Sequence, residues 1–284
     1  MNKGIKEPRQ GIQKTIKCCL LMTLFLSVLL PLLITVENVR AEDVEDLAKK
    51  VQNPVSDLIS VPIEHNFNFD VGMDGDIQHV TNVSPVFPIK LNDKWLLINR
   101  AIIPAIYQPL LAPGVGDEFG LGDINFTTFL SPRESSGTVW GVGPSLTVPS
   151  ASDEVLGTEK WTLGPAFVVF RDIGPWSAGL LISNAWSIGG ESDRADVNFG
   201  FMQPWFYYNF PSGAYLFYEP VITVDWEADS DERWTVPLGL GVGKIFPIGG
   251  QYVNAQIAAF YNVETPTGGA EWTIRPQISF LFPR

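Results

Sequence analysis

Between residue 61 and the C-terminus, apolar side chains fall on every second position of about a dozen segments. One such stripe is formed by Trp234, Val236, Leu238, Leu240 and Val242, and the residues between its members are threonine, proline and glycine. Successive side chains of a β-strand point to opposite faces, so the alternation predicts strands with one apolar face and one small or polar face. Strands of this kind with aromatic residues at their ends are typical of barrels that cross a bilayer.

The alternation predicts an all-β fold, an antiparallel up-and-down transmembrane barrel of about twelve strands that occupies residues 61–284. Segment 94–108 is apolar on both faces, so its orientation stays open. The strands are expected near 61–72, 79–91, 94–108, 119–130, 138–149, 160–170, 175–188, 196–209, 214–227, 233–246, 251–263 and 271–282.

The connections between these strands alternate between two kinds. One set is short or turn-like, at 92–93, 132–137, 172–174, 211–213 and 247–250. The other set includes longer, acidic loops, at 109–118, 150–159, 189–195, 228–232 and 264–270. Short periplasmic turns that alternate with longer outer loops are typical of outer-membrane barrels, and an even strand number then places both termini in the periplasm.

Tryptophan and proline also follow the strand pattern. The predicted aromatic girdle comprises Trp95, Trp140 and Trp176 near the short turns and Trp161, Trp186, Trp226, Trp234 and Trp272 near the long loops. Indole rings favour a membrane–water boundary, although tryptophans that cap a sandwich core are the alternative. Prolines inside the strands predict bulges or kinks because proline has no N–H for the ladder, at Pro85, Pro104, Pro144, Pro165, Pro204, Pro220, Pro237 and Pro276.

The first 41 residues have the pattern of a cleaved signal peptide. A lysine-rich start precedes an apolar run from Leu20 to Val36, and Val39-Arg40-Ala41 supplies a cleavage site before Glu42. A transmembrane helix is the alternative for this run. Residues 42–60 are expected to be helical, either as an amphipathic arm at the periplasmic mouth or as a plug in the lumen, and the sequence leaves both open.

Removal of residues 1–41 would leave 13 basic and 29 acidic residues, a net charge of −16, and no cysteine. So acidic a chain argues against a nucleic-acid partner. The expected partners are instead outer-membrane lipid and lipopolysaccharide, the barrel-assembly machinery of a Gram-negative envelope, and a small-molecule solute.

Residues suited to catalysis are sparse. Beyond residue 41 the only histidines are His65 and His79, and neither an H-E-x-x-H nor a G-x-S-x-G motif is present. A barrel hydrolase would need a serine and a histidine that meet on the outer wall, and neither histidine has an obvious serine partner in the sequence. The chain is therefore predicted to be neither an enzyme nor a cofactor-binding protein.

The polar faces of the strands predict a lumen lining, because a charge that faces lipid is costly. The predicted lining residues are Glu64, Asn66, Asn68, Asp70, Glu219, Thr223, Asn254, Gln256, Arg275 and Gln277. A loop cluster of Asp225, Glu227, Asp229, Asp231 and Glu232 is a candidate metal site, although a solvated acidic rim is the simpler interpretation.

The chain also resembles a known bacterial family. The segments that carry the resemblance include Asn53–Pro62, Gly120–Ile124, Trp140–Pro144, Trp234–Gly239 and Phe280–Arg284. They resemble the MetA-pathway of phenol degradation family, whose members are called transporters and, misleadingly, neuromedin U. The resemblance implies an outer-membrane barrel that passes small molecules, without a characterised substrate or functional residues.

Together these observations predict a porin-like outer-membrane channel or facilitator for small, hydrophobic or aromatic molecules, with a non-conducting structural or binding barrel as the alternative. Small inward residues such as Gly239, Gly241 and Gly243 predict free space in the lumen. Pairing of the first and last strands predicts contact between Arg275 and an acidic residue of the first strand, with Asp70 the expected partner. An acidic lining predicts a preference for cations.

Overall fold

The computed structural model describes residues 41–109, 116–133 and 137–283. The predicted signal peptide therefore lies outside the described residues except for Ala41. One helix, α1, covers Ala41–Gln52. The strands are β1 (Ile59–Val71), β2 (Asp76–Val83), β3 (Val86–Lys90), β4 (Trp95–Gln108), β5 (Glu118–Leu121), β6 (Ile124–Pro132), β7 (Thr138–Val148), β8 (Lys160–Ile173), β9 (Trp176–Gly190), β10 (Asn198–Asn209), β11 (Ala214–Tyr218), β12 (Ile222–Asp225), β13 (Trp234–Ile248), β14 (Gln251–Glu264) and β15 (Trp272–Phe282).

These segments form twelve antiparallel barrel strands, because β2 with β3, β5 with β6, and β11 with β12 are each two halves of one interrupted strand. Each strand pairs with its neighbours in sequence, and β15 pairs with β1 to close the sheet, with Ile63 opposite Ile278 and Phe67 opposite Ile274. Closure leaves no unpaired sheet edge. The predicted twelve-stranded barrel is confirmed.

Most of the strand prolines lie where the hydrogen-bond ladder is interrupted. Pro85 separates β2 from β3, Pro220 separates β11 from β12, and a register shift occurs at Pro237. Pro144 and Pro165 face each other across β7 and β8. These interruptions match the missing N–H donor of proline and lie at positions where the sequence predicted bulges or kinks.

The buried apolar side chains lie inside the barrel, and many of those on the outer wall are exposed. Val168 of β8 and Tyr215 of β11 have exposures of 0% and 1%, whereas the outward Leu240 of β13 is 70% exposed. An outer wall with large exposed apolar side chains suits contact with lipid. No helix in the described part of the chain is long and apolar enough to cross a membrane.

Candidate functional site: the barrel lumen

The lumen contains two cavities, one towards each end of the barrel. The lower cavity, towards the short turns, has a volume of about 190 Å³, and the upper cavity, towards the long loops, has a volume of about 380 Å³. Arg100, Ile102 and Leu181 line both cavities, and we call these three residues the waist. The cavities therefore adjoin at the waist, and together they extend over much of the length of the barrel interior.

The upper cavity combines apolar walls with side chains whose hydrogen bonds are already made. Asn125 donates to Ser145 Oγ at 3.0 Å and to Thr147 Oγ1 at 3.1 Å, and Thr127 Oγ1 donates to Asn125 Oδ1 at 3.0 Å. Because these polar groups satisfy one another, they attract water less strongly than free groups would. The remaining walls include Leu181, Val197, Phe199 and Phe201. This lining suits an apolar solute that carries few polar groups.

Loop 150–159 folds over the rim of the upper cavity, where the carboxylate of Asp123 makes four of the hydrogen bonds that hold it. Asp123 accepts hydrogen bonds from the backbone N–H groups of Ser150, Ala151 and Thr158, and from Thr158 Oγ1 at 2.9 Å. Asp123 and Thr158 both line the cavity, and Leu156 of the same loop is buried. The loop therefore narrows the upper mouth instead of extending away from it.

A compact group of charged side chains surrounds Arg275 in the lumen. The Arg275 guanidinium lies 3.7 Å (Nε) from Glu64 Oε2 and 3.4 Å (Nη2) from Glu219 Oε1, and it covers the Phe260 ring at 4.7 Å. Tyr207 Oη donates to the second carboxylate oxygen of Glu219 at 2.5 Å. Each of these buried charges therefore faces a partner of opposite sign, which buried charges require.

The predicted contact between Arg275 and the first strand forms, but with Glu64 and not with Asp70. Glu64 pairs with Gln277, which lies two residues from Arg275 on the same inward face. This register brings Arg275 near Glu64 and away from Asp70. Asp70 instead lies exposed near the outer end of β1, at a register irregularity, with a φ of 65°. The bulge removes Asp70 from the alternation on which its lumen assignment depended. The prediction that Asp70 lines the lumen is therefore wrong.

Arg100 is a lumen residue that the sequence analysis missed. It lies on β4, the strand whose orientation stayed open, and it interacts electrostatically with Glu64 and Glu219. Its guanidinium forms no hydrogen bond or ion pair with another residue in the described ranges. The sequence did contain a signal for its position. Arg100 shares one face of β4 with Leu96, Ile98 and Ile102, and its charge marks that face as the inward one because charged side chains avoid lipid.

Arg100 also changes the predicted charge of the lining. Glu64 and Glu219 are balanced by Arg275 and Arg100, so the centre of the lumen has no net charge from these four side chains. The acidic lining on which the predicted cation preference rests is therefore absent at the centre of the lumen, where Arg100 adds a positive charge and Asp70 contributes none.

The other predicted lining residues point into the barrel. Asn66 donates to Glu64 at 2.8 Å, Asn68 accepts from Thr273 at 2.8 Å, and Gln277 donates to Ser279 at 3.0 Å. Thr223 pairs with the inward Phe201. The amide oxygens of Asn254 and Gln256 lie 2.6 Å and 2.8 Å from Tyr215 Oη and share its single hydroxyl hydrogen.

The predicted free space beside the inward glycines is wrong for β13. A Cβ atom at Gly241 would lie 2.1 Å from the Phe217 ring, and one at Gly243 would lie 2.3 Å from the Tyr215 ring. Phe217 and Tyr215 pair directly with these glycines on the neighbouring strand and are almost fully buried. Glycine here makes room for an aromatic ring, so this part of the lumen is packed.

The segment before β1 lies inside the lumen at the short-turn end. Gln52 Nε2 donates to Asn209 Oδ1 of β10 at 2.7 Å, and Val55 lies within 3.1 Å of the position that a Cβ atom would take at Gly141 of β7. Residues 50–54, Ser56 and Leu58 line the lower cavity. Of the two alternatives that the sequence left open, these contacts favour the plug.

The barrel wall is interrupted beside the charged cluster. Ladder pairing on β10 stops at Tyr218 and resumes at Ile222, and the ladder on β13 is missing over the same stretch. The backbone oxygen of Glu219 accepts a hydrogen bond from Arg275 Nη2 at 2.8 Å. Arg275 therefore satisfies a carbonyl that a neighbouring strand would otherwise bind.

The tryptophans of the predicted girdle lie at strand ends, where Trp95 contacts Trp140 and Trp226 contacts Trp234. Trp205 instead points inward and is buried. Seven of the eight predicted girdle tryptophans have side chains that are 37–55% exposed on the outer wall: Trp140, Trp161, Trp176, Trp186, Trp226, Trp234 and Trp272.

The candidate metal site in the loops gains no support. Asp225 accepts a hydrogen bond from the backbone N–H of Glu227, and both carboxylate oxygens of Glu232 accept hydrogen bonds from Thr267. Among the residues that the structure describes, no three His, Cys, Asp or Glu side chains meet in an arrangement that could hold an ion. The cluster of Asp225, Glu227, Asp229, Asp231 and Glu232 stays a prediction.

Comparison with known proteins gives structural matches only. No protein-family model and no curated protein sequence matches the chain. Among solved structures, the COG4313 outer membrane channel from Pseudomonas putida F1 matches with a TM-score of 0.62 and 18% identity over 81% of this chain and 97% of that one. The outer membrane phospholipase A from Escherichia coli matches with a TM-score of 0.40 and 11% identity over 87% and 99%. The first of these matches shows that the chain has the fold of an outer-membrane β-barrel.

Proposed function

We propose that this protein is an outer-membrane channel for small hydrophobic or aromatic molecules. The observation that carries the proposal is the pair of adjoining lumen cavities that share Arg100, Ile102 and Leu181. A volume of about 380 Å³ with mainly apolar walls suits a small organic solute. The barrel fold supports placement in the outer membrane, and the resemblance to the MetA-pathway of phenol degradation family supports the passage of small molecules without naming their class.

The solute would be held by shape and apolar contact more than by charge. The hydroxyl and amide groups around Asn125 bond to each other, and the acids at the centre are occupied by Arg275. Apart from the Arg100 guanidinium at the waist, a hydrophilic solute would therefore find few free groups to replace its lost hydration. An apolar solute gives up no hydrogen bonds to water on entry, and the removal of its surface from water is favourable.

A non-conducting binding barrel is the second candidate, and the lumen plug favours it. Gln52 contacts β10 and Val55 contacts β7, three strands away along the wall of the short-turn end, and the buried rings of Tyr215 and Phe217 fill lumen space beside β13. In this alternative the cavities would hold a ligand without passing it. Conductance separates the two candidates because only the channel gives a current.

The test uses two neighbouring leucines with opposite orientations. Leu181 lies at the waist, and Leu180 is the adjacent residue on the opposite face of β9. In planar bilayers, Leu181→Trp is expected to lower the ionic current several-fold and to weaken its block by a neutral aromatic such as 1-naphthol. Leu180→Trp is expected to match the unmodified protein.

Equal currents in both variants would show that ions do not pass the waist. Absence of current both in the unmodified protein and in the protein without residues 42–58, together with retained binding of the aromatic probe, would establish the binding barrel instead.

A further inference from the structure

The Arg100 guanidinium lies between the two lumen cavities and makes no direct polar contact with the rest of the described chain. Arg100 lines both cavities, and it forms no hydrogen bond or ion pair with residues 41–109, 116–133 or 137–283. A guanidinium carries five N–H donors and a charge that protein surroundings do not remove. A charge inside a protein needs a partner, so the waist offers a strong binding group that no described residue occupies.

The two acids that interact electrostatically with this guanidinium are engaged by other side chains. Glu64 Oε2 lies 3.7 Å from Arg275 Nε, and Glu64 Oε1 accepts a hydrogen bond from Asn66 at 2.8 Å. Glu219 Oε1 lies 3.4 Å from Arg275 Nη2, and Glu219 Oε2 accepts a hydrogen bond from Tyr207 at 2.5 Å. All four carboxylate oxygens therefore have partners, and neither acid bonds the guanidinium at the waist.

The space beside this guanidinium is largely apolar. The upper cavity, with a volume of about 380 Å³, falls in the size range of small-molecule sites, and Leu181 and Phe201 form part of its wall. Thr127 is the ladder partner of Arg100, and its hydroxyl oxygen already lies 3.0 Å from polar atoms of two neighbouring side chains. A solute in this cavity therefore meets apolar walls along its body and one charged donor group at the waist.

We infer that Arg100 is an anion-binding residue at the waist and that its ligand is a small apolar monocarboxylate. The planar fork of a guanidinium binds both oxygens of a carboxylate, while the upper cavity takes the apolar body. This inference deepens the proposed function and rests on it, because it names the class of solute that the same cavities take.

The charge of the central cluster favours a monoanion over a dianion. Arg100 and Arg275 together balance Glu64 and Glu219. A bound monocarboxylate therefore leaves one excess negative charge in the cluster, whereas a phosphate monoester dianion leaves two, and like charges repel each other strongly away from water. A carboxylate is for this reason the better ligand.

The experiment compares two probes that share one ring system, 1-naphthoate and its neutral amide 1-naphthamide. Calorimetry of the purified protein in neutral detergent at pH 7, with protein-free micelles as the blank, gives both affinities. The unmodified protein is expected to bind 1-naphthoate about tenfold or more tightly than 1-naphthamide, because hydrogen bonds between two charged groups are stronger than neutral ones. The dianion 1-naphthyl phosphate should bind more weakly than 1-naphthoate.

Three variants assign the preference to Arg100. Arg100→Met should lower the affinity for 1-naphthoate about tenfold or more and leave that for 1-naphthamide nearly unchanged, which also shows that the cavity is intact. Arg100→Lys keeps the charge without the fork and should lose part of the preference. Arg133→Met removes an exposed arginine at the short turns and should bind both probes as the unmodified protein does. The mobility of unheated protein on gels verifies folding.

A double variant separates a specific contact from the net charge of the cluster. Arg100→Met with Glu64→Gln restores a charge sum of zero, and it should still show no preference for 1-naphthoate. A restored preference in the double variant would overturn the site, because net charge would then explain anion binding without Arg100.

The remaining outcomes distinguish this inference from the proposed function. Equal affinities of the unmodified protein for 1-naphthoate and 1-naphthamide would overturn the anion site and leave the proposed apolar solute in place. Tighter binding of 1-naphthyl phosphate than of 1-naphthoate would overturn the carboxylate as the ligand class. An unmodified protein that binds none of the three probes would contradict the proposed function, and this inference with it.

Discussion

At the scale of single residues, inward glycines and aromatic rings of neighbouring strands form matched pairs. Gly241 faces Phe217 and Gly243 faces Tyr215, so each ring occupies the volume that a side chain on β13 would take. The alternation of apolar and small residues along β13 predicted that these glycines point inward. It could not show that rings from β11 cover them, because that depends on the register between two strands.

The substitution Gly241→Trp is therefore expected to destabilise the barrel and not merely to narrow it. Overpacking of this kind costs about 1–3 kcal/mol or more, because Phe217 has to leave its position. The free energy of unfolding, measured in urea, checks this. Gly189→Ala, where no atom lies within 4 Å of the new Cβ, should change little. The double variant with Phe217→Ala should recover part of the loss, and a fully stable Gly241→Trp would contradict the packing described.

Arg275 is expected to be the most sensitive charged residue of the lumen. Its removal in Arg275→Met leaves Glu219 buried without its cation, a situation that costs about 3–5 kcal/mol. The double variant Arg275→Met with Glu219→Gln should cost less than Arg275→Met alone. Urea unfolding of the three proteins measures the difference. An Arg275→Met protein as stable as the unmodified one would show that Glu219 is not a buried carboxylate that depends on Arg275.

At the scale of elements, strand number, loop alternation and inward faces followed from the sequence because a period of two is local information. The course of residues 50–58 through the lumen did not follow, because Gln52 meets Asn209 across 157 residues of chain. The bulge at Asp70 was equally hidden, since it depends on a turn geometry with a positive φ. Arg100 was accessible in principle, from the cost of a charge at the lipid face.

Two outer loops are linked by Glu232, whose carboxylate accepts hydrogen bonds from the Thr267 side chain and backbone N–H. These bonds lower the pKa of Glu232 below its ordinary value of 4.5. The lowered pKa means that the link contributes fully above pH 4.5 and is lost as the pH falls through the lower folded-state value. Hydrogen exchange at the Thr267 amide, read by mass spectrometry, should be slow at pH 7 and relatively less protected in strong acid. Glu232→Gln should show the weaker protection already at pH 7, and identical protection in both proteins would contradict the link.

At the scale of the whole molecule, the long-loop half of the closed barrel is open enough to hold a solute, whereas the short-turn half is filled around its smaller cavity. The filling comes from residues 50–58 together with Trp205, Tyr207, Tyr215 and Phe217. Of these, the segment before β1 is joined to the wall by side-chain contacts and not by a sheet ladder. It is therefore the part of the filling that can leave while the barrel stays closed.

The most direct measurement is the single-channel current in planar bilayers of the protein with and without residues 42–58, a deletion that leaves β1 intact. A channel whose lower half is covered by this segment predicts a several-fold larger current after deletion, with the Leu181→Trp substitution reducing that current again. Absence of any current in the deleted protein, with the barrel folded by its gel mobility, would contradict the channel and leave the non-conducting barrel in its place.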